Sequence, residues 1–366
     1  MLSLIAVGDV MLGDHPVCFG HGVRSTIEKI GIDAYFGEFK DLFGTADIVT
    51  GNVEAGLSNE GLVSGKLESE EMRGHPSFAA GLARVGFNVM TVANNHALHH
   101  GHAAFSNTCD LLRQNNIGVV GVPDANGAPN SWLFERRGIR IAVIGYSCRP
   151  EKYQPNLRSY ARGDDDALIR EVARLRGDGN HVVVNIHWGE EYLQVPSPSQ
   201  INLGRKLACA GACLIVGHHP HVLQGFEKYG DCWIFYSLGN FSFDHWDRVA
   251  RESMVVQCSI SARGVEEAKT VPVWIGRDWK PEIARSVTRD QISRTIESLA
   301  SRVGEFAGED QETLSGKYQQ LADKAYLHYR LDSYRYFLTR LWKYRPSIIT
   351  QSFARALRRR AQPIAP

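Results

Sequence analysis

No apolar run of about 18 or more residues occurs in this 366-residue chain, so no bilayer-spanning helix is expected. The first residues, MLSLIAVGDVML, lack the basic stretch and small-residue cleavage site of a secretory leader. Seven cysteines (18, 109, 148, 209, 213, 232 and 258) are odd in number, scattered, and form no CxxC pair. Neither a disulfide framework nor a zinc knuckle is therefore expected, and several of these cysteines read as small core residues. A formal net charge of +1 gives no global argument for binding nucleic acid. There is no internal repeat. These absences together point to a soluble protein of a reducing compartment, cytoplasmic or peripheral on the cytoplasmic face of the membrane.

What is present is ordinary globular composition, 43% hydrophobic and 22% charged, in a chain long enough to bury a sizeable core. Short apolar runs predict strands over 2–7, 47–50, 88–92, 118–122, 139–145, 181–186, 213–216, 233–236 and 254–260. Helical patterns fall between them, over 76–85, 103–114, 165–175 and 199–210. Such alternation argues for layered α/β structure around a largely parallel or mixed buried sheet. One unit is expected over residues 1–280, and a helical, basic extension over 285–366. In that extension Ile292, Ile296, Leu299 and Val303 follow a helical stripe, and Gly308-Glu309-Asp310 reads as a break. From Ser333 onward there is no acidic residue. Eight Lys or Arg (335, 340, 343, 345, 355, 358, 359, 360) interleave there with aromatic and aliphatic side chains. Such a tail suits either an anionic membrane surface or acidic polymer, or docks on the body with its basic side in water.

Chemistry concentrates at five strand ends. They are Gly8-Asp9, Gly51-Asn52-Val53-Glu54, Asn94-Asn95-His96, His187-Trp188-Gly189 and Gly217-His218-His219-Pro220-His221. An Asp after a strand is commonly a turn or helix cap, and a lone His cluster can be a satisfied structural group. Five such segments at the strand ends of one α/β chain, where ligands bind, point instead to a metal site. His219 and His221 flank a proline and can serve one centre, with His218 a spectator.

Order and residue type resemble the calcineurin-like metallophosphoesterases. GDVML, GNVE, ANNHAL, HWGEEY with Gln200 beyond it, GHHPHVLQ with Glu227 beyond it, and YSLGNFSF resemble more closely the CapA family of poly-γ-glutamate capsule synthesis, over about residues 1–275. The resemblance implies a four-layer α/β-β/α sandwich and a divalent metal centre of one or two ions (Mn, Zn, Fe or Mg). The implied ligands are Asp9, Asn52, Glu54, Asn95, His187, His219 and His221, with Asp9 and His96 as the catalytic pair. Around them, His99 is a candidate extra ligand or proton donor. Trp188, Glu191 and Tyr192 would wall the substrate or merely pack, Gln224 and Glu227 would orient ligand histidines, and Asn240 would turn the chain or assist the site. Arg73, His75 and His102 could face an anionic substrate, but read better as ordinary surface residues.

Two departures stand out. Met11 replaces the first-motif His, and neutral Asn52 stands where phosphoesterases carry a bridging Asp. Three functions remain open: hydrolysis of a phosphoester or amide in anionic-polymer synthesis, a non-catalytic polymer-binding subunit of a synthase complex, or amide processing in a small-molecule biosynthetic cluster.

Overall fold

Leu4 and Ala6 of the first strand, β1 (Leu2–Val10), enter one core, whereas Ile5 and Val7 enter another. Side chains alternate along a strand, so an unbroken apolar run fits only a sheet buried on both faces. The structure, a computed structural model, describes residues 1–54, 56–124, 127–306 and 311–361. Strands β2 (Ile48–Val53), β3 (Val89–Thr91), β4 (Gly118–Val120), β5 (Ser131–Arg136), β6 (Ile139–Ser147) and β7 (His181–His187) follow in order. After them come β8 (Ala212–His218), β9 (Phe226–Tyr229), β10 (Cys232–Phe235), β11 (Asn240–Ser242), β12 (Glu252–Ser261), β13 (Gly264–Ile275) and β14 (Pro281–Ile283).

One sheet runs β14-β13-β12-β1-β2-β3-β4, with β11 also paired to β1, and the second runs β5-β6-β7-β8-β10-β9. Strands β1 to β4 are mutually parallel, as are β6, β7, β8 and β10; the outer strands are antiparallel. Leu4, Ala6, Ile48 and Val89 of the first sheet share a core with Ile141, Val143, Val183 and Leu214 of the second. The first sheet's other face packs Ile27, Phe39, Leu82 and Leu112, from helices Val23–Ile30, Gly37–Gly44, Phe78–Val85 and Gly101–Gln114. Leu168, Val172, Ile201 and Leu207, from helices Asp165–Gly177 and Pro198–Cys209, cover the second sheet's outer face. Helices, sheet, sheet, helices: this is the four-layer sandwich expected.

All nine anticipated strands and four anticipated helices are present, with ends moved by a few residues. Strands β5, β9, β11, β13 and β14 and the helices between residues 23 and 70 were not anticipated. β5 is mostly half or fully exposed, and β13 carries Glu266, Glu267 and Lys269 toward water, so neither shows an apolar run.

Beyond β14, helix Ser286–Ser301 buries the expected stripe of Ile292, Ile296 and Leu299. Helices Gln311–Leu338 and Pro346–Ala361 then fold back on the body. The Tyr344 hydroxyl donates to the Val17 carbonyl, and Gln351 Oε1 accepts from the Leu67 amide at 2.9 Å. The expected break at Gly308–Asp310 and the side chains of Arg359 and Arg360 lie outside the described residues. No described helix is long and apolar enough to cross a membrane, and all seven cysteines are free.

Two glycines let the strand ends converge. A Cβ on Gly8 would lie 2.0 Å from the Gly239 carbonyl oxygen, and one on Gly217 would lie 1.9 Å from that of Tyr236. The Tyr236 carbonyl also accepts the Trp188 indole N–H at 2.8 Å. Gly217→Ala must therefore push two backbones apart. It should lower the denaturation midpoint by at least the equivalent of about 1–3 kcal/mol, measured by urea unfolding followed by circular dichroism.

Candidate metal centre

The carboxyl ends of parallel strands in both sheets meet at one buried point, and five of the expected side chains gather there. Asp9 ends β1, Glu54 follows β2, His187 ends β7, and His219 and His221 follow β8. All five are buried. Glu54, His219 and His221 bring ligand atoms within 4.8 Å of one another, as do Asp9, Glu54 and His187.

The turn after β8 is strained in a useful way. His219 and His221 both have positive φ, 97° and 58°, on either side of Pro220. Non-glycine residues avoid that region, at a cost on the order of 1–3 kcal/mol each. The turn is held by the His219 amide, which donates to Asp9 Oδ2 at 3.1 Å, and by the Pro220 carbonyl, which accepts from the Tyr192 amide at 2.8 Å.

Hydrogen bonding separates supporting groups from those left open. Asp9 Oδ1 accepts from Asn52 Nδ2 at 2.8 Å, and lies 3.3 Å from His218 Nδ1. His221 Nδ1 lies 3.4 Å from Asp9 Oδ2 and 3.0 Å from Asn240 Oδ1, while its Nε2 is 3.4 Å from Glu54 Oε1. Glu54 Oε1 and both ring nitrogens of His219 have no hydrogen-bond partner although buried. Buried polar atoms in native proteins are nearly always satisfied, and a carboxyl oxygen beside an open imidazole is a donor set suited to a divalent cation. The residues present fit a metal.

Charge agrees with that reading. Burial pushes the Asp9 carboxyl up, but His218 and His221 outweigh it and hold the pKa well below the usual range. Burial and the nearby Asp9 drive Glu54 well above it. Burial alone would lower His221, yet Glu54 and Asp9 raise it to about 10. Burial, with like-charged neighbours, depresses His219 and His187, which leaves them neutral as ligands must be.

Asn52 plays a different part from the one expected. Asn94 Nδ2 donates to the Val53 carbonyl at 2.8 Å, and Asn94 Oδ1 accepts from the His96 amide at 3.1 Å, so backbone contacts set its amide orientation. Asn94 Nδ2 then donates to Asn52 Oδ1 at 3.0 Å. Asn52 consequently turns its NH₂ toward Asp9 Oδ1 and Glu54 Oε2 (3.4 Å) and offers the centre a donor, not a ligand oxygen. Asn95 Oδ1 faces His187 Nε2 at 2.8 Å. Met11, at the missing His position, is buried with Met72 and Phe243.

Residues 3–245 match the family model described as bacterial capsule synthesis protein PGA_cap. The chain belongs to that family. It is 29% identical over 315 residues to the capsule biosynthesis protein CapA of Bacillus anthracis, covering 82% of this chain and 74% of the relative. It is 30% identical over 279 residues to the PGA biosynthesis protein CapA of Bacillus subtilis (strain 168), covering 75% and 71%. A solved 5'-nucleotidase from Candida albicans aligns over 82% of this chain and 58% of its own with 11% identity and a TM-score of 0.42, a likeness too slight to inform either fold or reaction.

In this PGA_cap chain the remaining expected residues divide. His96 Nδ1 lies 3.2 Å from His99 Nδ1 and 3.4 Å from the Tyr153 hydroxyl. Burial and the neighbouring His99 hold the His96 imidazole neutral. His99 stacks on Tyr153 and lies 3.6 Å from Glu71, which Arg355 of the last helix also pairs. Tyr192 lines the centre, 6.2 Å from His221 between ring centroids, and stacks at 4.2 Å on Tyr329 of helix Gln311–Leu338. Glu191 is near enough to raise both Glu54 and His221. Asn240 orients His221, as described.

Trp188 packs, the second of the two parts expected for it: its ring belongs to the core outside the second sheet, where it stacks on Tyr236. Other expectations need correcting. Gln224 bonds Gln200 and the Leu193 carbonyl, and Glu227 pairs Arg205 and the Tyr236 hydroxyl, so the bonds they make do not reach the ligand histidines. Arg73 is buried, and it ties together the Ser58, Glu60 and Ser69 carbonyls. His218 is more than a spectator, since it braces Asp9 from Asn185 (3.3 Å). Arg149, after β6, was overlooked. It bonds the Gly189 carbonyl and Glu190 at 2.7 Å, and its charge lowers both His187 and His219. Its position just past a strand end was the available signal.

Two results should follow. Titrating Mn²⁺ or Zn²⁺ into chelator-treated protein should release protons, because Glu54 and His221, whose pKa values are both raised, must give them up to bind a cation; calorimetry in buffers of different ionisation enthalpy measures it. His219→Ala and His219→Gly should both weaken binding by about tenfold or more. The Gly variant should be the more stable by on the order of 1 kcal/mol, because only glycine accepts φ 97° freely.

Proposed function

We propose that this chain serves synthesis of an anionic capsule polymer of the poly-γ-glutamate class, and that it cleaves an amide or phosphoester bond at a divalent metal centre. Membership of the capsule-synthesis family supports the first part. The observation that carries the second is the set of buried ligand atoms without hydrogen bonds on Glu54 and His219 beside His221.

Glu54, His219 and His221 would hold the ion, with Asp9 and His187 completing the shell; Mn²⁺, Zn²⁺, Fe²⁺ and Mg²⁺ all suit such a set to differing degrees. When bound, the ion supplies Lewis acidity at the scissile carbonyl or phosphoryl group. Asp9, braced by His218 and Asn52, keeps the turn bearing His219 in place. His96 stands at the rim with its Nδ1 engaged by His99, ready to hydrogen-bond a substrate oxygen. Arg149 and Lys152 add positive charge near His219 and His96, which favours a substrate rich in carboxylate or phosphate.

A second reading, a metal-holding subunit that binds polymer without cleaving it, is favoured by Met11 and by the donor face of Asn52. Protein purified without chelator, assayed for metal content and for hydrolysis of poly-γ-glutamate and of a bis-aryl phosphodiester, separates the two. The hydrolase reading expects a stoichiometric divalent ion and metal-dependent cleavage of one substrate. His219→Ala should reduce that cleavage by about 100-fold, and Arg149→Ala should raise KM more than it lowers kcat. Retained metal and polymer binding without cleavage would establish the second reading; absence of metal at micromolar concentrations would end both.

A further inference from the structure

Helix Gln311–Leu338 is apolar on two opposite sides. One side buries Tyr318, Ala322 and Tyr336 against the body and brings Tyr329 to Tyr192. The other exposes Leu327, Leu331, Tyr334 and Leu338, spaced four, three and four residues apart, as a continuous stripe. The turn that follows carries Trp342, 80% exposed, and the last helix exposes Phe353 and Leu357. Phe337 and Phe353, 6.0 Å apart between ring centroids, join the two helices' apolar residues. Patches of this kind on a protein surface mark interaction sites.

Charge selects the partner. No acidic residue follows Asp332, while Arg335, Lys343, Arg345 and Arg358 are exposed among these apolar groups and Lys343 Nζ lies 5.5 Å from the Trp342 ring centre. Asp332, beside Leu331, pairs with His328, and Glu68 lies 4.0 Å from Arg358, but cations outnumber these acids around the apolar groups. Exposed Trp, Leu and Phe among an excess of cations match the interface of an anionic bilayer, where rings sit at headgroup depth and long basic side chains reach phosphate. A paired helix of a second copy would meet the same excess of positive charge.

We propose that the surface formed by Leu327, Leu331, Tyr334, Leu338, Trp342, Phe353 and Leu357 with their flanking cations binds the face of a membrane rich in anionic phospholipid. The opposite sides of the same helices bring Tyr329 onto Tyr192 and Arg355 onto Glu71, so the centre would work beside the lipid surface. This attachment is independent of whether the centre hydrolyses its substrate.

Vesicle co-sedimentation of the full chain tests it, using phosphatidylcholine vesicles with and without about one-third phosphatidylglycerol. Binding should be at least about tenfold stronger to the anionic vesicles and should weaken with salt. Trp342→Glu combined with Leu357→Glu should abolish binding, with thermal midpoint and circular dichroism unchanged. Lys343→Glu with Arg345→Glu, which leaves every apolar group in place, should weaken it by on the order of tenfold or more. Equal binding to neutral and anionic vesicles would overturn the proposal. So would a stable dimer in light scattering that Leu331→Glu dissolves.

Discussion

Two carboxylates, Asp9 and Glu54, are removed from water at the same point, and the surrounding architecture answers that constraint. An ionised carboxylate in a protein interior is strongly unfavourable unless charge and hydrogen bonds compensate it. Here compensation comes from four directions: His218 from β8, the strained turn of His219 and His221, the amide of Asn52 on β2, and Asn240 behind His221. The close approaches at Gly8 and Gly217 bring these groups within reach. Remove the anions, and neither the positive φ angles nor the convergence of strand ends from two sheets has a purpose.

The same constraint explains Asn52. A carboxylate there would add a third buried anion beside Asp9 and Glu54, as a centre built for two dications requires. The amide instead donates to both anions, while Asn94 fixes its orientation from the backbone. Less negative charge must therefore be neutralised at this point. The apolar burial of Met11 agrees, since a thioether beside Met72 and Phe243 gives a hard cation little to hold.

Much of this was readable from sequence because buried strands are continuous apolar runs and their ends carry the polar residues. Asp9, Glu54, His187, His219 and His221 each stand where such a run stops. What escaped depended on orientation or on long-range packing. Nothing local reveals that the Asn52 oxygen is consumed by Asn94, or that Trp188, one residue past a ligand histidine, turns to the outer core. Gln224 and Glu227 follow the histidine motif closely, yet find partners on helix Pro198–Cys209. Half-exposed strands such as β5 and β13 left no apolar run to detect. In the tail, composition disclosed cations and aromatics, but only tertiary contacts distinguish Tyr329 and Tyr336, turned inward, from Leu331 and Trp342, turned outward.

The tail's inward face bears on the chemistry of the rim. Glu71 is almost wholly buried, and burial alone would raise its pKa; His99 and Arg355 together reverse that and hold it ionised. His99 in turn lies against His96 Nδ1, so a guanidinium from the final helix reaches the expected catalytic imidazole through two intermediate side chains. Without Arg355, Glu71 would keep its buried position but lose its full positive partner, and burial would push its carboxyl toward the neutral acid. A neutral Glu71 would attract the adjacent His99 ring less, and the contact of His99 with His96 would be held less firmly. The final helix thus contacts the surroundings of the candidate centre, although it lies outside the residues matched by the family model.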